Sequence, residues 1–232
     1  MTLTRRLEPE LLDELPADDP RALRARRDLA RINALFGLGR LMARLLAKHS
    51  PPEPPRTWLD LGCGDATFTL SVARRLAPRW PKVHVRLLDQ QNIVSEETRR
   101  GFAALGWTAE PVAADVFAYL GRAHVEPVDV VTANLFIHHF AQAELATLLE
   151  RIVPLTNMFV ACEPRRSRFA VRITRLSWIL GCGEVFVHDA IVSLRAGFAG
   201  QELSGLWPAR AGWQLEEHEH GLVTHCFAAV RR

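Results

Sequence analysis

The stretch Trp58-Leu59-Asp60-Leu61-Gly62-Cys63-Gly64-Asp65-Ala66-Thr67-Phe68 restricts the fold more than any other. An apolar run ends in an acid, passes through a glycine-rich turn and continues with helical spacing. Glycines in such a turn let the backbone approach a ligand closely and leave N–H groups free at a helix start. Strand, turn and helix in that order form the first part of a βαβ unit, so a parallel sheet is expected.

The residues that follow keep this rhythm. Strands are predicted at Thr57–Leu61, Val83–Leu88, Ala109–Ala113, Val128–Ala133 and Asn157–Cys162. Helices are predicted near Phe68–Leu76, Ser95–Leu105, Val116–Leu120 and Gln142–Val153. Residues 165–208 read as mostly helical, broken at Gly181-Cys182-Gly183. Trp213–Glu219 and Leu222–Val230 alternate apolar with polar residues about His220-Gly221, which predicts an antiparallel hairpin at the sheet edge. Upstream, residues 5–15 suit a short acidic helix, and Arg21 to Lys48 carries leucines at spacings of three and four, with a break near Gly37 and Gly39. Ser50-Pro51-Pro52-Glu53-Pro54-Pro55 is a stiff connector. We therefore expect an N-terminal helical lid over residues 1–50 and an α/β domain over 51–232, with a substrate-side insertion near 164–208.

Composition narrows the class. The 232 residues carry a net charge of +3 with dispersed basic pairs, which gives no footprint for nucleic acid. Residues 1–20 lack the apolar run of a secretory signal, and no run is long enough to span a membrane. Four cysteines without a CxxC pair suit reduced thiols in the cytoplasm.

Two nucleotide-like ligands use such a glycine loop. A dinucleotide places a pyrophosphate there and favours GxGxxG. Here Thr67 occupies the third glycine position and Asp65 stands inside the turn, where a carboxylate repels pyrophosphate but favours an ammonium or sulfonium. A nicotinamide-dependent oxidoreductase is thus the disfavoured alternative, and a scaffold that binds cofactor without catalysis is another. Asp60 is expected to hold the loop or meet a ligand ammonium. Asp89, followed by Gln90, ends the next strand, where an acid accepts ribose hydroxyls. Asp115 follows the third strand, placed for an adenine amino group, with Val116 and Phe117 against the ring; Asn134 ends the fourth. All fall at the carboxyl ends of strands, where open α/β sheets bind ligands.

Residues 57–163 resemble the core of class I S-adenosylmethionine-dependent methyltransferases, through the loop Asp60–Ala66, Asp89, the Ala113–Phe117 segment and Val128–Phe140. The resemblance is closest to UbiE-like small-molecule methyltransferases, including those encoded beside type III polyketide synthases. Pro9–Asp13, Arg26–Asn33 and His188-Asp189-Ala190 are similar to that narrower group. It implies a Rossmann-like, mostly parallel seven-stranded sheet with an antiparallel terminal hairpin. It also implies S-adenosylmethionine at Asp60, Gly62, Cys63, Gly64, Asp65, Asp89, Gln90, Asp115, Val116, Phe117 and Asn134. The acceptor implied is an aromatic, polyketide or quinone-like small molecule methylated on oxygen or carbon, by a monomer or homodimer.

A phenolic or enolic acceptor needs a base titrating near neutrality, which suits histidine. His138 and His139 follow the fourth strand, and His188 precedes Asp189, which could orient its ring. His188 is the leading candidate, as base or substrate ligand. Arg165 and Arg195 are candidates to hold a substrate carboxylate or phenolate. His218 and His220 share a strand face and His225 follows, but no ligand spacing supports them and no metal is expected.

Overall fold

A computed structural model describes residues 3–175, 177–208 and 211–232. Among these residues seven strands form one sheet: β1 (Thr57–Leu61), β2 (His84–Asp89), β3 (Thr108–Ala113), β4 (Val128–Asn134), β5 (Thr156–Pro164), β6 (Trp213–His220) and β7 (Thr224–Arg231). The order is β3-β2-β1-β4-β5-β7-β6, with β7 antiparallel to both neighbours and the other pairs parallel. This is the expected α/β sheet with its terminal hairpin. The order reverses between β1 and β4, and the crevice at that switch point is where such sheets hold ligands.

Period-two alternation divides the core between the two faces of the sheet. Trp58, Val130, Met158, Val160, Cys226 and Ala228 pack on one side with α3 (Leu38–His49) and α4 (Thr67–Leu76). Leu59, Leu61, Val131, Phe159, Phe227 and Ala229 pack on the other with α7 (Gln142–Ile152). Trp58, Trp80 and Trp107 meet with centroids 5.8–6.5 Å apart, closing the first layer.

The N-terminal region begins with α1 (Leu11–Glu14), shorter than the acidic helix expected over residues 5–15. Next come α2 (Pro20–Leu35), started by Asp19, and α3, separated from it by Gly37 at φ +65°. The break therefore falls at the first of the two expected glycines. Helix α3 shares the hydrophobic layer of the sheet, whereas α2 lies against α9 (Glu184–Ala196). Between β5 and α9 runs α8 (Arg168–Thr174), followed by a 3₁₀ turn at Ser177–Leu180.

Candidate functional site

The glycine turn after β1 is shaped by hydrogen bonding and by lack of room. Gly62 and Cys63 donate their N–H groups to the carbonyl of Leu88, which draws the turn beside the end of β2. Gly62 has φ +67°, and a Cβ there would stand 2.1 Å from the Phe136 ring. Gly64 has φ +55° and faces open space. Its N–H donates to Asp89 Oδ2 at 2.9 Å, while Asp89 Oδ1 accepts from Gln91 N–H.

Beside this turn opens a cavity of about 700 Å³. One end is lined by Gly62, Gly64, Asp89, Gln90, Val116 and Asn134. Two amide oxygens in its wall, Asn134 Oδ1 and Gln91 Oε1, are buried without a hydrogen-bond partner. Buried acceptors left open in this way are costly unless a ligand meets them. Leu135, next in the wall, holds φ +52° and donates its N–H to the Cys162 carbonyl. A non-glycine residue in the left-handed region stores strain, as binding sites often do.

The expected cofactor residues divide into two groups. Those just named at the cavity wall are brought together. Asp60, Cys63, Asp65, Asp115 and Phe117 do not line it. Asp60 shares the sheet face of Trp58, so it points into the layer beneath α4, not at the cavity. There Oδ1 accepts from Thr132 Oγ1 (2.6 Å) and Oδ2 from Thr69 Oγ1 (2.5 Å), and Thr132 Oγ1 accepts from Trp58 Nε1. Burial pushes the Asp60 carboxyl up to about 6. Asp65 accepts from Thr67 N–H and Oγ1, and Asp115 caps α6 (Val116–Leu120) at Ala118 N–H, also accepting from Gln90 Nε2 at 3.3 Å. Both carboxylates are helix-start fastenings. Cys63 is a buried thiol, its pKa raised by that burial. Phe117 packs edge-on against Phe140, which does line the cavity.

At the other end of the cavity the wall is apolar, with Leu12, Leu29, Ile32, Ile173, Phe186 and Leu194 among its members. Among the described residues no lysine or arginine lines it. Arg165 is spent on the Gly221 carbonyl and Glu219, tying β5 to the hairpin turn. Arg195 lies 3.6 Å from Glu8. Neither reaches the acceptor side, because Arg195 is on the outer face of α9 and Arg165 turns toward β6.

His188 is displaced for the same reason of helical phase. Phe186, Asp189, Ala190, Ser193 and Leu194 form the inner face of α9. At about 100° per residue, His188 lies roughly 200° round the helix from Phe186. Its side chain is 46% exposed, and Nδ1 meets Asp189 Oδ1 at 2.9 Å. Asp189 does contact that ring, but the same carboxylate accepts from the Leu11 and Leu12 N–H groups at 2.8 and 2.9 Å. It fastens α1 over the cavity. The placement of His188 outside the cavity corrects its rank as leading base.

His138 and His139 sit in a 3₁₀ turn after β4, and both line the cavity. His138 is buried between two acids: Nδ1 is 2.7 Å from Glu163 Oε2, and Nε2 is 3.3 Å from Glu10 Oε1. Burial opposes its charge, but the hydrogen bonds to Glu10 and Glu163 outweigh that and raise its pKa to about 9. His139 lies against it with rings tilted by 34° and centroids 4.3 Å apart, and Nδ1 lies 3.7 Å from Asp13 Oδ2. Burial, reinforced by the neighbouring His138 cation, lowers the His139 pKa. Asp13 is pushed up to about 6 by burial and nearby acids. Sequence reasoning missed Glu10, Asp13 and Glu163 as site residues. The only available signal was an acid at the end of β5 and the acids at Glu10 and Asp13, without any sign of their common partners.

Glu10, His138 and His139 also present ligand atoms within 4.8 Å of one another. The His138–Glu10 contact and Ser193, whose hydroxyl donates to Glu10, already satisfy this group internally. His218 meets Glu216 at 3.5 Å, and buried His225 meets Glu217 at 2.7 Å, so these two hairpin histidines face glutamates of their own strand pair.

Residues 59–157 match the family model described as a methyltransferase domain. The plantazolicin methyltransferase BpumL, solved in complex with SAH, superposes with a TM-score of 0.62 at 15% identity, over 93% of this chain and 92% of that one. The mitomycin 7-O-methyltransferase MmcR gives 0.59 at 16% identity, over 95% and 60%. An O-methyltransferase family protein from Burkholderia thailandensis gives 0.58 at 20% identity, over 93% and 61%. The chain thus spans about three-fifths of the latter two proteins. No curated protein matches it in sequence. The strand order, the glycine turn at the switch point and the family match converge: residues 59–157 carry a methyltransferase domain, and the chain has the Rossmann-like methyltransferase fold.

Proposed function

We propose that this protein uses S-adenosylmethionine to methylate a hydroxyl, or an enolic carbon, of a small and largely apolar molecule of aromatic, polyketide or quinone-like type. The single observation that carries this reading is one cavity with two unlike ends. The glycine turn, Asp89 and two unpartnered amide oxygens stand at one end; hydrocarbon walls, a histidine pair and, among the described residues, no lysine or arginine stand at the other.

The cofactor end fits the group. The Gly62–Gly64 backbone, Asp89, Gln90, Gln91, Val116 and Asn134 would hold it, and it would supply a methyl made electrophilic by a sulfonium. No lysine or arginine lines the acceptor end among the described residues, and the charge of His138 is already matched by Glu10 and Glu163, which argues for a neutral acceptor, not a carboxylate. His139, half-buried and with its lowered pKa neutral at pH 7, is the group that takes the acceptor's proton. The His138 cation keeps its neighbour neutral and does not itself act as the base. Leu12, Leu29 and Ile32 close the wall from the N-terminal region and exclude water.

Calorimetric titration with S-adenosylhomocysteine tests the cofactor half, beside NADH and an Asp89→Ala variant. Binding of the homocysteine nucleotide alone, weakened at least about ten-fold in the variant, is expected. Failure to bind it, or a preference for NADH, would overturn the reading.

A further inference from the structure

Between Glu163 and Glu184 the chain carries five arginines and no acid. Arg165 and Arg166 are occupied, the first by Glu219 and the second by Glu202 and the Leu3 and Gly197 carbonyls. Arg168, Arg172 and Arg175 are exposed, and among the described residues none has an acidic partner. Their spacing of four and three residues places them on one side of α8 and its C-terminal turn. Ala170 and Val171 face the interior, so the basic side points outward.

Beside this basic side stand four exposed large apolar side chains. Phe169 is 57% exposed, and Trp178, Ile179 and Leu180 are 65, 63 and 52% exposed. The patch is not loose decoration. Arg31 holds the Leu180 carbonyl at 2.9 Å and Arg24 holds that of Gly181 at 3.3 Å, which fixes the 3₁₀ turn to α2. Ile173, Ile179 and Leu180 also line the acceptor end of the cavity, so the patch is its rim.

We propose that this rim docks on an anionic lipid surface, letting an apolar acceptor pass from the bilayer into the cavity; the route, though not the docking, rests on the function proposed above. Arginines and apolar side chains on one rim match both layers of such a surface. Guanidiniums meet lipid phosphates, and Trp178 sits at headgroup level with Ile179 and Leu180 below it. A nucleic acid or an acidic protein face would satisfy the arginines alone and leave three consecutive apolar side chains against charged or hydrated groups.

Co-sedimentation of the full chain with vesicles of phosphatidylglycerol and phosphatidylcholine, against phosphatidylcholine alone, tests this without acceptor or cofactor. Binding is expected to the anionic vesicles and to fall with salt. Reversing all three charges (Arg168→Glu, Arg172→Glu, Arg175→Glu) should weaken it on the order of a hundred-fold, from about one such contact per arginine. Trp178→Ser with Phe169→Ser should weaken it while the circular-dichroism melting curve stays put. Equal binding to both vesicle types, or none to either, would overturn the proposal. So would retention on a sulfated polysaccharide that is insensitive to the apolar substitutions when vesicles are not bound. Because homocysteine-nucleotide binding is read separately, failure here leaves the methyltransferase reading standing.

Discussion

Adjacent histidines in one turn are pushed to opposite sides of the ordinary histidine pKa because their partners differ. His138 donates into two buried carboxylates, while His139 faces the cavity, half-buried, beside a cation. Placing the base at His139 therefore makes a claim about order of titration. In proton NMR, with His139→Gln and His138→Gln used for assignment, the His139 ring signal should titrate below pH 6.5 and that of His138 above it. The reverse order would remove the reason for choosing His139. With a phenolic acceptor that is turned over, His139→Ala should lower kcat by about 10² to 10³ and leave homocysteine-nucleotide binding within about two-fold. The wild-type rate should rise through the lowered pKa and be level by pH 7, since the base works only when neutral. A kcat unchanged in the variant would point to an acceptor already activated without a base.

Among the elements, α1 is too short to stand alone, and it is held by one carboxylate. Asp189 accepts from two of its N–H groups, as an acid at a helix start should. Asp189→Ala removes both acceptors and should cost about 1–3 kcal/mol, felt chiefly at the N-terminal segment. Hydrogen exchange should then accelerate at Leu11 and Leu12 while the amides of β1, β4 and β5 keep their protection; unchanged protection at α1 would show that other contacts hold it. The sheet was legible from the sequence because local spacing encodes it: β1 and α6 fall at the predicted bounds, and other strand ends move by one or two residues. The glycine turn was legible too, since only glycine tolerates the Phe136 ring beside Gly62. What spacing does not encode is the partner across the fold. Asp60 follows strand alternation into the layer below α4, and His188 follows helical phase out of the cavity. Glu10 meets His138 across 128 positions, a distance over which no pattern in the chain carries information.

Across the whole molecule, His138 ties three distant pieces of chain into one charged knot. Glu10 reaches it from the N-terminal segment, and Glu163 from the end of β5, where it also accepts from the Phe136 and Ile137 N–H groups. Arg5 donates to the His138 carbonyl, and His139 and Asp13 complete its polar surroundings. The His138 pKa is raised from 6.5 to about 9, so the stabilisation is fully present below pH 6.5 and is lost as pH rises through about 9. The Glu10 pKa is lowered despite its burial, by His138 and Ser193; that contribution is present above pH 4.5 and is lost as pH falls through the lowered value. These two contributions should therefore be greatest together between about pH 4.5 and 6.5. The His138 contribution is on the order of 3 kcal/mol, which in a chain of this length corresponds to a Tm lower by roughly 5–10 °C at pH 10 than at pH 7. His138→Gln keeps a hydrogen-bonding side chain but leaves two buried carboxylates without a cation, so it should already melt lower at pH 7. Its melting temperature should change less between pH 7 and 10 than that of the native protein. Parallel slopes for the two would mean that His138 is neutral throughout, that the knot is held by hydrogen bonds without charge, and that the cation invoked to keep His139 unprotonated does not exist.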